Sequence, residues 1–139
     1  MNDRTERRLN TKRLVEPVMC DHDFADLEEG IRLYNAGRFW HAHEAWEDVW
    51  RRKSGECDAF FKGMIQAAAA FHKMREGSPK GTRTHLDRAT AKLSRCPPAF
   101  LGVDVEAFLH SLQHCRTEAN QGRFPISHIP KITKTAKGY

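Results

Sequence analysis

The sequence predicts an all-α fold, a compact bundle of about five helices built from antiparallel, repeat-like helical hairpins. Three observations carry that expectation. Apolar residues recur three and four positions apart over most of the chain, the period of one helix face. Glycine, proline and short polar clusters cut this pattern into helix-sized lengths. No segment alternates apolar and polar side chains as a half-buried strand does.

Residues 1–20 lack periodicity and read as a flexible basic N-terminal tail. Asp23 is placed to cap a first helix carrying Phe24, Leu27, Ile31 and Tyr34. Asn35-Ala36-Gly37 ends that helix, with Gly37 suited to a left-handed position. A second helix runs from about Phe39 to Arg52, and Lys53-Ser54-Gly55 breaks it. A third runs from about Ala59 to Arg75 and stops at Gly77-Ser78-Pro79. A fourth, near Gly81 to Arg95, carries Leu86, Ala89 and Leu93 and is closed by Pro97-Pro98. A fifth, from about Val105 to Ala119, carries Phe108, Leu109 and Leu112. Residues 21–120 thus form the bundle domain. Residues 121–139 read as an extended basic tail able to lie across it.

A chain of 139 residues is the size of one domain. The net charge of +5 sits in the ends: residues 1–20 carry five bases and three acids, and residues 121–139 carry four bases and no acid. The remaining hundred carry fourteen bases and fifteen acids. A nucleic-acid reader needs its basic residues on a structured face, so nucleic acid is not an expected partner. The nearly apolar run Gly63–Phe71 is far shorter than the roughly 20 residues that span a bilayer. Four scattered cysteines and a polar N-terminus fit a cytoplasmic setting with reduced thiols.

The stretch "GRFWHAHEAWEDVW" (residues 37–50) holds all three tryptophans, with two histidines and three acids. With Trp40 at zero and about 100° per residue, His43 falls near ~300°, Glu47 near ~340° and Glu44 near ~40°. These three share a face beside the core stripe of Ala42, Trp46 and Val49. His41 and Asp48 point the other way. An imidazole and two carboxylates on one border can bind a divalent metal or exchange a proton. The same spacing also suits an ordinary solvated flank, because i,i+4 His–Glu pairs are common there. A metal needs ligands from a second helix. On the third helix His72 lies on the apolar side, and Gln66 requires a polar partner if buried; a second-helix carboxylate is the expected one. His43-Glu44-Ala45-Trp46-Glu47 lacks the second histidine of a zincin helix. No nucleophile elbow or phosphate-binding glycine loop occurs.

The blocks "GIRLYNAGRFWHAHEAWEDVW", "FFKGMIQAAAAFHKMREGSPKGT" and "LGVDV" resemble, in the same order, a family of small helical proteins termed domain of unknown function 309. Asn35, Gly37, Phe39, His43, Glu44, Glu47, Trp50, Gly63, Ile65, Gln66 and Gly81 stand at matching positions. His41 replaces the family's usual Glu, Ser78 its Asn and Thr82 its Ala. The family carries the label of predicted metal-dependent hydrolases, so the resemblance implies a metal site on these polar residues. A tetratricopeptide-like helical hairpin is a second resemblance, on Gly37, Phe39, Ala42 and Trp46, with no second copy at the 34-residue period of such repeats.

Two functions are therefore expected in competition. In the first, a divalent metal (Zn, Mn or Mg) activates water toward an unknown small-molecule substrate. His43, Glu47 and His41 are its candidate ligands, Glu44 the candidate catalytic base, and Asn35, Gln66, His72, Trp40 and Trp50 surround the pocket. In the second, the protein is a non-enzymatic interaction module or homodimer, and the same residues form a structural His/Glu/Gln hydrogen-bond network.

Overall fold

A computed structural model describes residues 14–53, 55 and 57–135. The expectations for residues 1–13, Ser54 and 136–139 lie outside the described residues. Among the described residues five helices follow one another: α1 (Asp21–Asn35), α2 (Phe39–Arg52), α3 (Asp58–Arg75), α4 (Pro79–Leu93) and α5 (Val105–Asn120). None is long and apolar enough to cross a membrane.

The start of α1 corrects the expected role of Asp23. Cys20 takes the cap position, and the Asp23 carboxylate, in the first turn, accepts from the Cys20 backbone N–H at 3.1 Å. Asp23 is buried because the end of α2 closes over it, with Arg52 Nε at 2.8 Å and Lys53 Nζ at 3.2 Å. Burial raises the proton affinity of this carboxyl. Hydrogen bonds from Arg52, Cys20 and Lys53 outweigh that effect and hold the group well below the ordinary carboxylate range. The α4 start also shifts: Ser78 caps it by accepting from Gly81 N–H at 3.1 Å, and Pro79 opens the first turn.

Gly37 (φ +81°) and Gly77 (φ +78°) supply the left-handed residue that reverses the chain after α1 and α3. Sequential helices then pack on each other. Two other glycines set the closeness of that packing. A Cβ on Gly30 would lie 2.1 Å from Nε1 of the buried Trp46, and one on Gly63 would lie 2.6 Å from Leu93 Cδ2. Trp46 Nε1 donates to Leu27 O at 3.2 Å, so the indole is both buried and hydrogen-bonded. Tyr34 centres the aromatic core, edge-on to Phe39, Phe71 and Phe108.

A small antiparallel hairpin, β1 (Ala99–Phe100) with β2 (Val103–Asp104), precedes α5. Its two-residue strands are too short to show alternation, so the expectation of no strand missed them. Residues 126–135 cross the bundle as a strap. Ile126 and Ile132 are buried, and Ile129 packs on the core. Tyr34 Oη donates to Pro130 O at 2.8 Å, and Asp104 N–H donates to Thr133 O at 2.9 Å.

Candidate functional site

The site is built around the exposed tryptophan. Trp40, in the first turn of α2, keeps 49% of its surface exposed, whereas Trp46 is fully buried. One turn on, His43 stacks on Trp40 with ring centroids 4.9 Å apart and 14° between planes. From α3, His72 lies 5.3 Å from the same indole, tilted by 40°. Alanines at 67, 68 and 70 are fully buried, which keeps α3 thin and lets its neighbours approach. From α4, His85 places Nδ1 2.5 Å from Gln66 Oε1. With Ala69, Lys73 and Glu76, the four aromatic and imidazole side chains line a cleft of ≈ 560 Å³.

The charges in this cleft are balanced. Glu76 lies 3.3 Å from Lys73 Nζ and 3.5 Å from His72 Nε2. Burial, followed by the positive charges of Arg88 and Lys73 and by His43, holds His85 below the ordinary histidine pKa. His85 is therefore neutral near pH 7. Its pairing with the amide oxygen assigns the ring proton to Nδ1, leaving Nε2 as an acceptor. His43 Nδ1 lies 3.1 Å from Glu47 Oε1, but it is buried and makes no aligned hydrogen bond. The two groups are neighbours at i,i+4 spacing without a formed hydrogen bond. Glu47 is also shared with Arg51, 3.6 Å away.

Among the residues expected at a site, Trp40, His43, Gln66 and His72 come together. His41 and Glu44 are exposed. Glu47 flanks His43 without being among the residues that line the cleft. Asn35 lies elsewhere: its amide donates to Ile132 O at 2.9 Å and accepts from Ile132 N–H at 2.8 Å. Trp50, near the end of α2, reaches the start of α3, with Nε1 donating to Asp58 Oδ1 at 2.9 Å and Lys62 over its ring. His85 was missed, and with it the true partner of Gln66, an imidazole on α4 rather than a carboxylate on α2. The available signal was its place beside the buried Thr82, Leu86 and Ala89.

The ligand set expected for Zn, Mn or Mg does not fit this geometry. Among the described residues no three or more His, Cys, Asp or Glu side chains are grouped to hold a metal ion. His43 and Glu47 face each other, while His41 and Glu44 face solvent.

The family comparison falls on the same part of the chain. Residues 27–85 match the family described as Domain of unknown function (DUF309). The DUF309 match begins within α1, ends at His85 and takes in every residue that lines the cleft. The strap lies outside it. An uncharacterized protein of Aquifex aeolicus (strain VF5) is 32% identical over 90 residues. That alignment covers 62% of this chain and 27% of the relative, so the chain spans only a fraction of the relative's length.

Proposed function

We propose that this protein is a non-enzymatic binding module whose cleft between α2, α3 and α4 takes a planar ring, from a small molecule or from a partner's aromatic side chain. One observation carries the reading: a half-exposed indole stands with the His43 and His72 rings at an open cleft. Large exposed aromatic surface is costly to leave in water, and stacked or edge-on ring contacts return about 0.5–1.5 kcal/mol beyond burial. The volume is in the usual range for small-molecule sites. Near neutral pH, Glu76 offsets Lys73, so ring stacking and the Gln66–His85 pair, rather than net charge, would select the ligand.

The test is a fragment titration followed by the ring resonances of His43, His72 and His85. Heteroaromatic fragments are expected to shift all three saturably, and Trp40→Ala to abolish the shifts while the fold persists. No saturable shift at millimolar fragment would sink the reading. If Zn²⁺, Mn²⁺ or Mg²⁺ instead raised Tm in a way lost in both His43→Ala and Glu47→Ala, the metal-dependent hydrolase reading would replace it.

A further inference from the structure

We infer that residues 126–135 are the resident ligand of a groove that reads extended backbone, and that the groove accepts the same segment from a second copy of this chain. This concerns a face distinct from the cleft and stands independently of the ring-binding proposal.

The strap is held as a bound peptide is held. Asn35 engages both backbone groups of Ile132 with one amide, the pairing a neighbouring strand would make. The backbone of β2 continues it: Asp104 N–H reaches Thr133 O, Thr135 N–H reaches Gly102 O, and Val103 pairs with Lys134 as an isolated antiparallel bridge. Tyr34 holds the Pro130 carbonyl. At the other end Glu118 accepts from the Ser127 N–H and hydroxyl, at 3.2 and 3.0 Å. Backbone bonds of this kind supply affinity in strand addition, and pockets for spaced side chains supply selectivity. Here the pockets take Ile126, Ile129 and Ile132. Their three-residue spacing, around Pro130, is the repeat of a polyproline II segment.

Nothing in these contacts depends on the strap belonging to the same molecule. They run to α1, the hairpin and α5, and the Ile126 N–H also reaches Met74 Sδ on α3 at 3.4 Å. The covalent link is the short stretch 121–125, where Gln121, Gly122, Arg123 and Pro125 are exposed and Phe124 packs on the core. Exchange of an identical element is a low-barrier route to a dimer. A second copy is the partner that carries this isoleucine spacing and its two lysines, Lys131 toward Asn35 O and Lys134 toward Glu28. A short tether gives its own segment an effective concentration on the order of millimolar, so exchange should appear in that range.

The deciding experiment uses the full chain labelled with nitrogen-15 and an unlabelled peptide of residues 126–135. At several millimolar peptide, the labelled chain's own Ser127, Ile132 and Thr133 amides should move toward unstructured positions. The Asp104 amide should stay in place, because the groove remains filled. A peptide with Ile132→Pro, which cannot donate to Asn35, should displace nothing. No displacement at about 10 mM, or equal displacement by the proline peptide, would overturn the inference. The second copy is tested by refolding the full chain from urea at about 1 mM and measuring mass by light scattering. A dimer fraction is expected for the natural sequence and not for Ile132→Pro; a monomer in both overturns exchange between copies.

Discussion

Gly30 and Trp46 meet at a distance that no side chain survives. Gly30→Ala must drive the indole away and break its bond to Leu27 O. Overpacking and a lost buried hydrogen bond together should cost about 2–4 kcal/mol, read as a lower urea midpoint. A change below about 1 kcal/mol would show that the helices part more easily than this packing implies. Gln66→Leu tests a part-buried polar contact. It leaves His85 Nδ1–H without its acceptor and should cost about 1–2 kcal/mol. The Trp40–His43 face was legible in advance, because the rotation per residue along one helix fixes which side chains share a side. His85 was not, because its partner is on another helix and depends on how the two cross. Glu44 exposes the limit of the same rotation: a border angle does not say whether a neighbour covers it, and here none does.

At the scale of elements, the helices were readable and the connections between them less so. Breakers at Gly37 and Gly77 fell where the chain does reverse. Asp23 was visible as a helix-start residue, but its burial beneath Arg52 and Lys53 is a contact between α1 and the end of α2. The strap was half legible. Its basic composition suggests a solvated tail, whereas the isoleucines at 126, 129 and 132 carry the information that it is held. Asn35→Ala removes both bonds to Ile132 and should loosen the strap by about 1–2 kcal/mol. Amide exchange should then quicken at Ile132 and Thr133 while the interior of α3 stays protected, a local opening rather than global unfolding. Uniform acceleration throughout would contradict that separation.

For the whole molecule, three groups whose proton affinity is lowered act in one direction as the solution is acidified. His85 is held below its ordinary value. Asp23 and Glu118 are also held down, Glu118 chiefly by the Ser127 N–H and hydroxyl. In each case the unfolded chain takes up its proton at higher pH than the folded one. The stability these groups contribute is therefore fully present above the unfolded values. His85 loses its part as pH falls below about 6.5, and the two carboxylates lose theirs below about 4. Urea melts at pH 7.5, 5.5 and 3.5 should show successive losses, with the first step smaller in His85→Gln. An undiminished first step in that variant would remove His85 from the account. The cleft has one further property, set by Ala69. This position contributes a single methyl to the lining. On the ring-binding proposal, Ala69→Val should narrow the cleft and weaken fragment binding, and Ala69→Gly should widen it at a cost of about 1 kcal/mol of helix stability. Fragments of graded length, titrated against the two variants, would read out that change in room separately from the ring contacts.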